Sequence, residues 1–334
     1  MKCFVTGASG FVGANLVNAL NKQGHEVKAL LRDGSDRRGL NGLEFEEVIG
    51  DLSRGDFLRN AIIGCDWCFH VAASYHLWLP NYRPMYQANV EGTRNLIIAA
   101  SEAGCHRIVY TSTVGCIGLP GRTPGNDQPT DETAQTNEAQ MSNHYKRSKW
   151  LAEQEALKLA NQGRPVVIVN PSAPIGPRDV KPTPTGQVIV DFLNGKMPAY
   201  LDTGLNWVHV ADVVAGHILA AEKGQIGERY ILGHADGNWS MKKFFQVLES
   251  ITGIPAPRFQ VPYSVAWTAA MIDETISRFT GKPPKAPIAG VRMAKHNMFF
   301  NPHKAITELG IPQTSPVDAL RDAVDWFRDK PYVK

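Results

Sequence analysis

Residues 2–14 read Lys2-Cys3-Phe4-Val5-Thr6-Gly7-Ala8-Ser9-Gly10-Phe11-Val12-Gly13-Ala14. The apolar run Lys2–Thr6 reads as a strand. Phe11–Gln23 carries Val12, Leu16, Val17 and Leu20 on one side and reads as an amphipathic helix. Between them glycine recurs as GxxGxxG. A phosphate-binding turn needs a residue without Cβ where the chain bends sharply. It needs a second where pyrophosphate approaches and a third where helix packs on strand. The helix start adds free N–H groups and a partial positive charge. Gly7, Gly10 and Gly13 therefore predict a dinucleotide-binding strand–turn–helix unit.

Outward from this unit the rhythm repeats. His25–Leu31, Phe45–Ile49, Trp67–Val71, Arg107–Thr111 and Val166–Asn170 read as strands. Helical patterns lie near Asp56–Ile63, Met85–Ala103 and Tyr145–Gln162. Alternating strand and helix means a parallel sheet covered on both faces, a doubly wound α/β fold. With 334 residues the chain has room for two lobes. Residues 1–170 are expected to bind the nucleotide, and 171–334 to form a smaller, mostly helical substrate lobe. Pro171–Pro184 reads as a crossover loop, and Met241–Thr252, Val265–Phe279 and Pro316–Arg328 as helices. Within 206–233, Trp207–Val210 and Tyr230–Leu232 read as strands returning to the main sheet.

Composition narrows the class. Lys and Arg total 35 against 32 acidic residues, and no dense basic run occurs, so no nucleic-acid partner is expected. Five cysteines in so long a chain make no disulfide framework. Cys65 and Cys68 form a CxxC without a second pair at zinc spacing, so core packing is their expected use. The ten histidines are scattered, and no metal site is expected. The opening residues show no leader pattern and no apolar run nears the length of a spanning helix. A cytoplasmic protein is expected.

The end of the second strand reports on the dinucleotide. It reads Leu31-Arg32-Asp33, with Arg37 and Arg38 in the following loop. Arginine forks pair well with a 2′-phosphate, which favours NADP. The alternative is NAD, with Asp33 on the ribose. Asp51 and Leu52 follow the third strand, where Asp51 is placed to bond the adenine amino group. Tyr145 and Lys149 are four apart on one helix face. A nearby ammonium favours a phenolate, so Tyr145 is the candidate proton exchanger and Lys149 its activator. Ser112 and Thr113 end the fifth strand and are the candidate hydroxyls for the reacting oxygen.

Thr6–Gly13, Asp51, Val71–Ala73, Asn89 with Gly92, Thr93 and Asn95, Thr111–Thr113 and the Tyr145/Lys149 pair resemble the extended short-chain dehydrogenases/reductases. Within that superfamily His144–Lys149, Asn170–Gly186, Asp191–Asp202 and Val291–Phe300 resemble hopanoid-associated sugar epimerases. Val27–Asp33 is similar to dihydroflavonol-reductase-like proteins. The resemblance implies a Rossmann-type sheet and places Phe11 and Val12 beside the pyrophosphate. It implies that Ala72 and Ala73 line the cofactor cleft. Thr113, Tyr145 and Lys149 become the catalytic trio, with Ser112 the competitor for Thr113. Asn170 and Pro171 end a strand where relatives contact nicotinamide or substrate. It also implies a homodimer through the helices of Met85–Ala103 and Tyr145–Gln162.

Two reactions fit such a trio: epimerisation of a sugar, nucleotide-linked or hopanoid-linked, and NADPH-dependent reduction of a carbonyl. The resemblance puts the sugar epimerase first. Dehydration would ordinarily add a carboxylate after Thr113, where Val114-Gly115-Cys116 has none. A reading of another class, a dinucleotide-binding sensor or scaffold, is opposed by the intact Tyr145/Lys149 pair. Candidate substrate residues are Tyr75 and Trp78 after the fourth strand, Asn170 and Arg292, with Arg178 and Lys181 as further cations. Gly118–Asn143 is a long polar segment placed to cover the site. Tyr263–Phe279 is amphipathic. Peripheral membrane contact is one use for it, but its acidic pair Asp273/Glu274 points to packing between lobes or protomers.

Overall fold

The computed structural model describes residues 1–118 and 128–333. The chain begins β1 (Lys2–Thr6), α1 (Phe11–Lys22), β2 (Glu26–Leu31), β3 (Glu46–Ile49), α2 (Gly55–Ile62) and β4 (Trp67–His70). It continues with α3 (Arg83–Tyr86), a π turn (Gln87–Glu91), α4 (Gly92–Glu102), β5 (Arg107–Thr111), α5 (His144–Asn161) and β6 (Val166–Pro171). Then follow β7 (Ala173–Ile175), α6 (Pro184–Leu193), β8 (Ala199–Leu201), β9 (Gly204–His209), α7 (Val210–Lys223), β10 (Arg229–Leu232) and β11 (Asn238–Ser240). The chain ends with α8 (Met241–Thr252), β12 (Phe259–Val261), α9 (Tyr263–Thr280), α10 (Ile288–Met293) and α11 (Pro316–Arg328).

Seven parallel strands lie in the order β10-β6-β5-β4-β1-β2-β3. Both faces are covered, so central strands are apolar throughout and successive residues serve opposite cores. Cys3 and Val5 join the face packed by α1 and α7, while Phe4 joins the face packed by α2, α4 and α5. The strand order reverses at β1/β4, and the crevice beyond their carboxyl ends is where such sheets bind ligands. The outer strand β3 carries Glu46 and Glu47, paired with Lys2, Lys28 and Arg37, and charge protects that edge. At the other edge, Glu132 accepts the Ile231 N–H at 2.7 Å.

A separate core forms beyond β6, with Trp207 stacked on Phe244 at 4.0 Å and Phe192 against Phe245. Here the structure departs from the sequence reading. Of the two expected returning strands, only β10 joins the main sheet. Trp207–His209 lies in β9, which pairs with β7 and β11 in a separate three-stranded sheet. What returns between them is α7, packed against α1 under the main sheet. The expected crossover loop also contains a strand, β7. All five cysteines are free and buried, Cys65 and Cys68 within the core behind β4. Burial pushes the thiols of Cys3, Cys105 and Cys116 up to about 12.

Phe69 is fully buried in β4, edge-on to Trp67. Phe69→Ala is expected to lower unfolding free energy by about 3–5 kcal/mol. Urea denaturation should show a lower midpoint at similar slope; a loss below about 1 kcal/mol would contradict this packing.

Candidate active site

The glycine turn is built by contact. Gly7 has φ +71°, and a Cβ there would lie 2.6 Å from the Ala72 amide nitrogen. A Cβ on Gly13 would lie 2.0 Å from the Gly7 carbonyl oxygen. Gly10 donates to the Gly7 carbonyl, and Ala14 makes the first helical bond, back to Gly10. The amides of Phe11, Val12 and Gly13 thus precede the helical ladder, and no side chain caps them. A cradle of this form, crowded on one side and lined with free donors on the other, fits a dinucleotide diphosphate.

Beside it runs a chain of hydrogen bonds absent from the sequence reading. The Ala72 N–H donates to Thr6 Oγ1 at 3.2 Å. Thr6 and His70 Nδ1 are 2.9 Å apart, and His70 Nε2 is 2.8 Å from Thr93 Oγ1. Thr93 donates to the Asn89 carbonyl at 2.6 Å. Since Thr93 spends its proton on Asn89, it must accept from His70, which places the imidazole proton on Nε2. Thr6 then donates to Nδ1. Burial, with Lys149 adding, pulls the His70 pKa down to about 3, so the ring is neutral. Asn89 also clamps the loop after β4, receiving the Ser74 N–H and donating to the Ser74 carbonyl and Ser148 Oγ.

After β3, a Gly92 Cβ would lie 2.9 Å from Leu52, and Asn95 donates to the Leu52 carbonyl. Asp51 takes both the amide and the hydroxyl of Ser53, which hold its carboxyl below the usual range. Among the arginines, Arg32 makes no ion pair among the described residues. Arg37 forks onto both carboxylate oxygens of Glu47, at 2.9 and 2.7 Å, and Arg38 onto Asp36. The expected cluster is therefore one unengaged guanidinium and two engaged ones, because acids lie within reach on the same loop and on β3.

Asn143 caps α5 by accepting the Lys146 N–H at 2.9 Å. The helix packs on the 3₁₀ turn Val114–Cys116. Thr113 Oγ1 accepts the Gly115 N–H at 3.2 Å, leaving its own proton to give, while Ser112 is buried beside Cys116. Lys149 is 2% exposed and donates to the Thr111 carbonyl at 2.8 Å, not to Tyr145. Burial lowers its pKa to about 8. The Tyr145 hydroxyl has no partner among the described residues. Packing pushes that phenol upward, and the Tyr75 ring 4.4 Å away adds to it. Asn170 Nδ2 donates to Glu153 and to the Thr113 carbonyl, while its buried Oδ1 has no partner among the described residues. Pro171 sits beside Leu232 in the sheet.

The substrate candidates divide. Tyr75 reaches Tyr145, and Trp78 is half-buried on the same loop. Arg292 is drawn away, to the Ser142 carbonyl and over the Trp267 ring. Arg178 donates to the Gly39 carbonyl between β2 and β3. Part of the expected covering segment, residues 119–127, lies outside the described residues. Lys146, missed from sequence, is buried with Nζ 3.9 Å from Met298 sulfur, and burial lowers its pKa.

The sheet, the crevice and the paired tyrosine and lysine define a dinucleotide-dependent α/β oxidoreductase class. The comparisons make this specific: the NAD dependent epimerase/dehydratase family model matches residues 3–233, and the chain belongs to that family. The "Putative dihydroflavonol 4-reductase" of Synechocystis sp. is 47% identical over 99% of this chain and 96% of its own length. "Sterol demethylase protein B" of Methylococcus capsulatus is 33% identical over 99% of both chains. The crystal structure of gox2253 superposes with a TM-score of 0.86 at 45% identity over 99% of each chain. The protein is thus an NAD(P)-dependent enzyme of epimerase or reductase type.

His70 carries a pH consequence. Its folded pKa of about 3 lies below the ~6.5 of an unfolded histidine. Between those values the unfolded chain binds the extra proton, so stability present above about pH 6.5 is lost as pH falls. His70→Phe abolishes that contribution. Its unfolding free energy should fall less than that of the wild type between pH 7 and pH 4, and parallel losses would refute the neutral buried ring.

Proposed function

We propose that the protein is an NADPH-dependent carbonyl reductase acting on a bulky apolar substrate. The observation that carries this is the Tyr75 ring set against Tyr145, with further rings around the neighbouring His144. Tyr75 stands 4.4 Å from Tyr145, and His144 stacks on Tyr82 at 4.0 Å and bonds Tyr86 at 3.0 Å. Two of the cations nearby are already engaged: Arg147 with Glu138, and Arg292 with the Ser142 carbonyl. A nucleotide diphosphate would want free cations there, whereas an apolar or aromatic substrate wants rings. The names of the Synechocystis and Methylococcus relatives point the same way. The sugar epimerase named first from sequence shares the trio but lacks this support.

When bound, the nicotinamide supplies the hydride. The amides of Phe11, Val12 and Gly13 would hold the diphosphate, Arg32 the 2′-phosphate, and Lys149 the nicotinamide ribose. Ala72 and Ala73 would line the cleft. Thr113, its hydroxyl proton uncommitted, donates to the carbonyl oxygen. Tyr145 gives that oxygen its proton as the carbon–oxygen double bond becomes an alcohol. A phenol whose packing raises its pKa keeps its proton at neutral pH, the state a proton donor for reduction needs. The Lys149 ammonium steadies the phenolate left behind, and burial of Lys149 means that this charge is lost above about pH 8.

Tyr145→Phe is expected to cut turnover about 10²–10⁴-fold while NADPH still binds. Stoichiometric NADPH oxidation at 340 nm with apolar ketones and aldehydes would support the reading. Cofactor that stays bound without net consumption while a nucleotide sugar inverts would replace it with epimerisation. Separately, Arg32→Ala should weaken NADPH about tenfold in a fluorescence titration and leave NADH unchanged; tighter binding of NADH by the wild type would overturn the cofactor assignment.

A further inference from the structure

Helix α9 buries only Ala270 and Ser277. Val265, Met271, Ile272, Ile276 and Phe279 stand 56, 46, 58, 54 and 88% exposed. Val265, Ala269, Ile272, Ile276 and Phe279 alternate spacings of four and three, which keeps them on one side of the helix. Ser264, Thr268 and Thr275 fill the flank. About half the circumference therefore faces solvent without a charge.

The acidic pair does not interrupt this face. Asp273 accepts the Ala286 N–H at 2.8 Å, and Glu274 accepts the Ile288 N–H at 3.2 Å and pairs with Arg278 at 3.5 Å. Both carboxylates are turned toward the connection to α10. Cations mark the two ends of the stripe. Arg258 stands beside Phe259, itself 74% exposed, and Arg278, Lys282 and Lys285 follow the other end. All four are exposed, and α9 itself carries no free carboxylate among the described residues.

We infer that α9 lies flat on an anionic lipid bilayer, its uncharged face among the acyl chains and its basic ends on the headgroups. Charge decides against a second copy of the chain on this face. Paired parallel or antiparallel, two α9 helices would bring basic ends together, and the helices' own acids are already engaged and do not offset them. A membrane surface of opposite sign satisfies both features. Spanning is excluded for α9, since no helix among the described residues is long and apolar enough to cross a bilayer. The contact has a place in the molecule. Gly290 of α10, packed on α9, rests near Leu77, two residues from the Tyr75 that stands over Tyr145. Docking through α9 sets that mouth close to the lipid, whichever reaction the site performs.

The test is flotation of the full chain with phosphatidylcholine vesicles, with and without about one-third phosphatidylglycerol. The wild type is expected to float with the anionic vesicles, less so as salt rises. Ile272→Glu/Ile276→Glu and, separately, Lys282→Glu/Lys285→Glu should each cut the bound fraction about tenfold or more. These side chains are exposed, so thermal melting should not change. Failure of the wild type to bind anionic vesicles, or equal binding by both variants, overturns the inference. So does a wild-type dimer in sedimentation that Ile272→Glu/Ile276→Glu splits, which would assign the face to a second copy.

Discussion

One uncharged imidazole fastens the ligand crevice. His70 sits at the end of β4, with Thr6 at the end of β1 on one side and Thr93 of α4 on the other. The direction of every proton in that chain follows from the last donor, Thr93 to the Asn89 carbonyl. Because the ring is sealed from water, a lost partner would leave a buried polar group unpaired, which disfavours any slip between the strands. The crevice where the sheet order reverses is therefore a fixed geometry.

The rest of the site hangs on that fixture. Thr6 holds the Ala72 amide, and Ala72 is the atom neighbourhood that leaves no room for a Cβ on Gly7. Thr93 leads to Asn89, whose carboxamide ties Ser74 to Ser148, and Ser148 bonds back to the Tyr145 carbonyl. The glycine turn, the loop bearing Tyr75 and the helix bearing Tyr145 are thus joined through short side chains. Gly92 and Asn95, a turn further on, fix the Leu52 loop by the same means.

Much of this was legible in the sequence, and the parts that were not share a cause. Buried parallel strands are apolar runs, so β1, β5 and β6 are readable within a residue or so. The glycine turn and the Tyr145/Lys149 spacing are local patterns. His70 is not: at the end of an apolar strand it looks like any core residue, and its partners lie 64 and 23 positions away. The alternation of Trp207–His209 suits either sheet, and only pairing with β7 and β11 decides between them. Arg37 looked free until β3 brought Glu47 beside it. Arg292 and Arg178 were likewise claimed by carbonyls distant in sequence.

The cysteines give the molecule a property unrelated to its reaction. Each thiol is enclosed, and burial holds each in the protonated form that reacts poorly with electrophiles and oxidants. The folded chain should therefore be almost silent to alkylating reagents. Cys3 sits on one face of the sheet, Cys65, Cys68 and Cys105 on the other, and Cys116 in the turn after β5, so a labelled thiol would record that the fold had opened around it. Their pattern of labelling would show which part gave way first, an internal record of unfolding written in the protein's own sulfur.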